Sequence, residues 1–175
     1  MKRLLLLRHA KAAQDGGHGD RDRELTPRGE ANAARMGHAI DLTGYTPDLV
    51  LCSDSRRTVQ TWEVLAPELA KAPPVDFRGD LYLAPHKLLM AAVREMLDAV
   101  DAAMVIGHNP GLEDLALRLA RKPDTRAEAA KLEAMREKFP TCALAVLDFE
   151  IGSWSDLAPG EGILLEFLKP RELRE

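Results

Sequence analysis

Leu4-Leu5-Leu6-Leu7-Arg8-His9, Leu49-Val50-Leu51-Cys52-Ser53 and Ala102-Ala103-Met104-Val105-Ile106-Gly107-His108 are the three stretches from which the fold is read. Each holds a short continuous apolar run that stops at polar residues or glycine, without alternation of apolar and polar positions. A strand covered on both faces has that signature, and such strands belong to parallel sheets. Helix patterns lie between the runs. Leu89, Ala92, Val93, Met96, Leu97 and Val100 repeat at i, i+3, i+4, i+7, i+8 and i+11, which predicts an amphipathic helix over 89–100. Thr26-Pro27 predicts the start of an Ala-rich helix that ends near Leu42. Asn109-Pro110 predicts another start, with Asn109 as the cap, Pro110 at the first helical position, and Leu112, Leu115, Ala116 and Leu119 on one face.

Strand and helix in alternation imply an α/β domain with three layers, αβα, around a mainly parallel twisted sheet with right-handed crossovers. The tail departs from the alternation. Segments 142–149 and 162–168 predict two closing strands, with antiparallel pairing at the sheet edge. Segment 124–138 is charged and Ala-rich, and Thr125 with Glu128 fits a capping box, so a solvated helix packed on one side is expected there. A chain of 175 residues is about one domain long, and residues 1–175 are expected to fold as a single domain.

Composition narrows the function classes. Apolar residues at 46% and charged residues at 30% exclude a disordered or collagen-like chain. Lys and Arg number 24 against 28 Asp and Glu, a formal charge of −4, so no global positive field collects nucleic acid or an anionic membrane. Any anion has to be caught by a local cluster. Met1-Lys2-Arg3 before leucines mimics an export signal, but Arg8 and His9 cut the run short of the roughly 7–15 apolar residues needed. No stretch approaches the roughly 18–20 residues of a membrane span. Cys52 and Cys142 are far apart in sequence and form neither a CxxC site nor a disulfide framework, so a reduced, cytoplasmic protein is expected.

In an open parallel sheet, ligands bind beyond the carboxyl ends of the strands. Arg8 and His9 stand at the end of the first run, Ser53, Arg56 and Arg57 just past the second, and His108 and Asn109 just past the third. Adjacent side chains on a strand point to opposite faces, so Arg8 and His9 share a pocket only if the chain leaves the strand there, which Ala10-Lys11-Ala12 and the glycines from Gly16 to Gly19 permit. Guanidiniums, imidazoles and helix N-termini converging on one crevice make a phosphate site. Nearby guanidiniums disfavour a further positive charge, so an imidazole there stays neutral near pH 7 and keeps a ring nitrogen free to attack phosphorus.

Leu7-Arg8-His9-Ala10, Leu25-Thr26-Pro27-Arg28-Gly29, Ser53-Asp54-Ser55-Arg56-Arg57-Thr58-Val59-Gln60-Thr61 and Gly107-His108-Asn109-Pro110 resemble the successive motifs of the histidine phosphatase superfamily, phosphoglycerate mutase-like. Small size and the Arg23-Glu24-Leu25-Thr26 context are most similar to phosphohistidine phosphatases of the SixA type. Ala10 stands where the family's RHG signature has glycine. The resemblance implies that His9 is the catalytic nucleophile, becoming a phosphohistidine, and that Arg8, Arg57 and His108 hold the phosphoryl oxygens, with Asn109 also at the phosphate. Arg57 is preferred to Arg56 because it stands three residues before Gln60-Thr61, as in the family's R-x-x-Q-T pattern. Asp80, in Gly79-Asp80-Leu81-Tyr82, is the candidate for the family's proton-donating carboxylate. Arg23 and Thr26 are candidate substrate contacts.

Other features read as structural. His18 falls in a Gly/Asp/Arg-rich loop, His38 in a helix and His86 at a helix start, and none is given a role. Asp20, Asp22 and Glu24 alternate with Arg21 and Arg23, the pattern of a neutralised surface loop rather than a metal site, so neither metal nor cofactor is expected. Cys52 ends an apolar run and reads as core. The expected activity is a metal-independent phosphatase acting on phosphohistidine in a protein and releasing free phosphate. The alternatives are a phosphatase of a small sugar or nucleotide phosphate ester and a non-catalytic phospho-ligand module, with no nucleic-acid or membrane partner in any of them.

Overall fold

The computed structural model describes residues 1–174. A six-stranded sheet runs in the order β3-β2-β4-β1-β5-β6. Its strands are β1 (Lys2–Arg8), β2 (Leu49–Ser53), β3 (Val75–Arg78), β4 (Ala102–Gly107), β5 (Leu144–Phe149) and β6 (Ile163–Leu168). The helices are α1 (Pro27–Thr43), α2 (Arg56–Leu65), α3 (His86–Arg94), α4 (Gly111–Leu119) and α5 (Arg126–Glu137).

The three apolar runs become β1, β2 and β4, side by side and parallel. Odd and even positions of the runs are buried against different helices. Leu4, Leu6, Leu51, Ala103 and Val105 pack with α3, α4 and α5, while Leu5, Leu7, Val50, Cys52, Met104 and Ile106 pack with α1 and α2. The result is the expected three-layer αβα arrangement. All four leucines of β1 are fully buried, each contributing about 1.5–3 kcal/mol of transfer free energy.

The expected antiparallel pairing is at the β5–β6 end of the sheet. There β5 is the reversed strand, antiparallel to β1 on one side and to β6 on the other. The short strand β3 extends the other edge in parallel with β2. The sequence does not predict it, since four residues with two exposed positions give no readable period.

Two helix boundaries differ from the sequence reading. The stripe running to Val100 predicts a helix over 89–100, but α3 begins at His86 and stops at Arg94. The carbonyls of Asp98 and Val100 instead accept from the buried Lys2 ammonium, and that of Val100 also from the Trp154 indole N–H. Tertiary bonding to β1 and the tail thus overrides the local period. Likewise α4 begins at Gly111 with no side-chain cap, because the Asn109 amide donates to the Phe139 carbonyl (2.9 Å). The capping prediction for α1 is met: Thr26 Oγ1 accepts from the Gly29 N–H at 3.0 Å. Thr125 likewise caps α5, accepting from the Glu128 N–H at 3.1 Å.

No helix among the described residues is long and apolar enough to cross a membrane. Both cysteines are buried and unpaired.

Candidate active site

The carboxyl ends of β2, β4 and β1 finish level with one another. Arg8 is register-paired with Gly107, Cys52 with Ile106, and the His9 N–H donates to the Gly107 carbonyl at 3.1 Å. His9 and His108 are therefore the next residues on two neighbouring strands, and their ring centroids lie 5.4 Å apart. Arg57 arrives from the second strand end by a tight turn. Ser55 caps α2, and Thr58 Oγ1 donates back to the Ser53 carbonyl at 2.6 Å. This places Arg57 in the first helical turn with its guanidinium over the imidazoles, 2% exposed.

Hydrogen bonding fixes both ring tautomers. His9 Nδ1 lies 2.8 Å from the Ala10 carbonyl, which can only accept, so Nδ1 carries the proton and Nε2 carries the lone pair. Arg57 Nε–H points at that Nε2 from 3.4 Å. Arg57 Nη2 also lies 3.3 Å from His108 Nδ1, which must accept, leaving His108 Nε2–H to donate to Ser53 Oγ at 2.8 Å. Burial pushes the His9 imidazole down to about 3, with His108, Arg57 and Arg8 adding to the effect. Burial, then Arg57, brings His108 to about 4. Both rings are neutral near pH 7, as the chemistry of a nucleophile requires.

These depressed values carry a stability cost in acid. Below about pH 6.5 an unfolded imidazole takes up a proton that the folded one refuses, so stability present above 6.5 is lost as pH falls toward 4. At pH 5.5 the two rings together should cost about 2–3 kcal/mol. Denaturant unfolding followed from pH 7.5 to 5 should show the decline, and a His108→Gln variant should show about half its slope. An unchanged slope in the variant would mean that His108 does not contribute to the acid sensitivity.

Arg8, His9, Asp20, Arg57, His108 and Asn109 line one pocket of about 330 Å³, together with Arg23 and the exposed Lys11 and Leu83. Arg8 Nη1 donates to the Phe139 carbonyl at 3.1 Å, while its Nε, fully buried, has no partner among the described residues. The same carbonyl accepts from the Asn109 amide, which ties the loop after β4 beside Arg8 at the pocket. Arg23 is at the pocket, bonded to the Ala13 carbonyl and to Asp20.

Two expected site residues are elsewhere. Asp80 forms a two-point pair with Arg78 (2.7 and 3.0 Å), which holds its carboxyl below the usual range, and it does not line the pocket. Thr26 is used in the fold: its hydroxyl donates to the Lys11 carbonyl (3.2 Å) and accepts from Gly29. That contact also explains the glycine of the Thr26-Pro27-Arg28-Gly29 segment, because a Cβ on Gly29 would lie 2.1 Å from the Lys11 carbonyl oxygen.

Ser53 and Asp20, to which the sequence reading gave no part in the phosphate site, are at the site. Ser53 orients His108. Asp20 lies against Arg57 (Nη2 at 3.1 Å) and Arg23 (Nη1 at 3.0 Å) and accepts from the Tyr82 hydroxyl. The Tyr82 bond, with Arg23 and Arg57, holds the Asp20 carboxyl well below its ordinary value. The Gln60-Thr61 pair explains the spacing of its motif: Gln60 Oε1 accepts from the Leu25 N–H (2.8 Å), and Thr61 Oγ1 joins the Ala10 N–H to the Arg57 carbonyl. One helix thereby locks the loop after β1 to the arginine.

The model described as histidine phosphatase superfamily (branch 1) matches residues 4–81. An uncharacterized protein of Mycobacterium tuberculosis, Rv1276c, is 37% identical over 165 residues, covering 94% of this chain and 100% of that protein. The chain belongs to the histidine phosphatase superfamily. This phosphatase is also similar to solved structures assigned as phosphohistidine phosphatase SixA. One, from Nakamurella multipartitia, has a TM-score of 0.81 at 27% identity, covering 97% of this chain and 96% of that one. Another, from Agrobacterium tumefaciens, has a TM-score of 0.77 at 29% identity, covering 97% and 98%. The mixed sheet with its antiparallel end is the phosphoglycerate mutase-like fold of the family, and the enzyme is a phosphatase hydrolase.

Proposed function

We propose that this phosphatase works as a single domain through a covalent intermediate on His9 and that its substrate is phosphohistidine in a protein. The observation that carries the substrate class is the pocket itself. At about 330 Å³ it is at the small end for ligand sites, and its lining is a phosphoryl-sized set of cations and imidazoles. Beyond them stands Leu83, 54% exposed at the pocket and held at φ 50°, an apolar contact suited to a protein surface rather than to the polar body of a sugar.

In the first step the His9 Nε2 lone pair attacks phosphorus in line while the P–N bond of the substrate breaks. The departing imidazole is neutral when its other ring nitrogen already holds a proton, so a strong general acid is not needed. Arg8 and Arg57 hold the phosphoryl oxygens, with His108 Nδ1 beside them. In the second step water attacks the same phosphorus, the P–Nε2 bond breaks, and phosphate leaves. An ionised carboxylate suits the removal of the water's proton, and Asp20 is the carboxylate at the pocket.

The test is a set of initial rates in EDTA. Phosphohistidine peptides should give higher kcat/KM than sugar or nucleotide monophosphates, with an aryl phosphate also hydrolysed. Asp20→Asn should lower kcat by about 10²-fold or more, the size of a lost general base, and Asp80→Asn should leave it within about twofold. Preference for a small phosphate ester would overturn the substrate assignment, and the reverse ranking of the two aspartates would overturn the proton route.

A further inference from the structure

A groove of about 860 Å³ adjoins the catalytic pocket, and Lys11 and Thr141 line both. Its wall carries Lys11, Arg28, Arg35, Lys138, Lys169 and Arg171 against one carboxylate, Glu137, in a chain whose formal charge is −4. Among the described residues only Lys169 of the six has an ion-pair partner, Glu172 at 3.2 Å. These cations come from four separate parts of the chain: the loop after β1, helix α1, the end of α5 and the segment after β6. Like charges gathered this way repel one another, and the single carboxylate of the wall leaves most of that repulsion in place.

We propose that this groove docks an acidic surface of the phosphorylated substrate protein, a reading that rests on the phosphohistidine-protein assignment above and names which proteins fit. Scale favours a polypeptide. Arg28 and Arg35 alone are seven residues apart on α1, about 10 Å along its axis, a span that one phosphate cannot bridge and that several carboxylates can. The groove lining holds no aromatic ring on which a nucleobase would stack. Because Lys11 and Thr141 belong to both cavities, a phosphoryl group seated on His9 and Arg57 brings its flanking surface directly over the groove. Charge complementarity of this kind sets partner choice and encounter rate.

The experiment uses two phosphohistidine peptides, one flanked by Asp and Glu and one by Ser and Gly, with the wild-type enzyme and a variant carrying Arg28→Glu, Lys138→Glu and Arg171→Glu. All three positions are exposed, so the fold is unaffected. The variant should lose about tenfold in kcat/KM on the acidic peptide, three exposed pairs each worth about a factor of two or more, and keep aryl phosphate turnover within about twofold. The wild-type preference for acidic flanks should shrink as salt rises. Equal turnover of both peptides, or equal loss on both, would overturn the proposal. Direct binding of the acidic peptide without its phosphoryl group separates the two readings. Such binding, lost in the variant, together with no phosphohistidine turnover would sink the substrate assignment and keep the groove. Absence of binding would sink the groove. Displacement of the acidic peptide by ATP or polyphosphate at lower concentration than by a second acidic peptide would assign the groove to a small polyanion and overturn the proposal.

Discussion

Alanine in place of His9 should yield a folded protein with turnover reduced by at least about 10⁴-fold on every phosphate donor, the scale seen when a nucleophile is removed. The geometry leaves no substitute. His9 Nε2 carries the one lone pair at the pocket floor whose partner nitrogen is pinned to a carbonyl, and the Ala10 contact keeps it aimed there. The neighbouring His108 cannot stand in, because its lone pair at Nδ1 faces Arg57 and its Nε2–H is bound to Ser53. Loss of the imidazole removes two buried side-chain hydrogen bonds, to the Ala10 carbonyl and from Arg57 Nε–H, and relieves an acid-sensitive group, so thermal unfolding near pH 7 should shift by only a few degrees. Labelled phosphoryl should be trapped on the wild-type protein after rapid acid-free quenching and be absent from His9→Ala. Label retained by the variant, or full turnover, would remove the covalent route through this residue.

The parts of this site that were legible in the sequence are those set by strand ends. A run of four leucines buried on both faces has only one way to stop, and the residues next in the chain stand at the carboxyl edge of the sheet, so Arg8, His9 and His108 could be placed from the chain alone. Arg57 was legible only through the resemblance, standing three residues before Gln60-Thr61 as in the family's R-x-x-Q-T pattern, and the structure supplies the reason for that spacing: Thr61 bridges the Ala10 N–H and the Arg57 carbonyl. Asp20 was not legible. Its loop alternates acids and arginines, and pairing between neighbours is the ordinary outcome of that pattern. Asp20 does pair with Arg23, three residues on, but it also reaches Arg57 and Tyr82, 37 and 62 residues away. Nothing in local spacing encodes such contacts. Asp80 failed for the opposite reason, since a sequence position between motifs was used where geometry decides, and Arg78 two residues earlier claims its carboxylate. The overlong α3 has the same origin as these misses. Lys2 and Trp154, distant in sequence, hold the Asp98 and Val100 carbonyls in the turn that follows α3.

Replacing Arg57 by Met should cost about 10³-fold or more in kcat/KM, comparable to losing an arginine that stabilises charge in phosphoryl transfer. Among the described residues its guanidinium is the one group hydrogen-bonded to both imidazoles and the Asp20 carboxylate, so it couples phosphoryl binding to the state of all three. Lysine should restore little, because a single ammonium cannot reproduce the planar fork that reaches two rings and a carboxylate together. Arg57 also lowers both imidazoles, so in Arg57→Met the two rings move upward. The check that separates catalysis from folding is the adjacent residue. Arg56 is exposed, pairs with Glu24 at 2.6 Å and turns away from the pocket, so Arg56→Met should keep kcat/KM within about twofold. Inhibition by free phosphate should weaken in Arg57→Met and hold in Arg56→Met. A large loss in the second variant with retention in the first would mean that Arg56, not Arg57, holds the phosphoryl group, and the register of α2 over the two histidines would have to be redrawn.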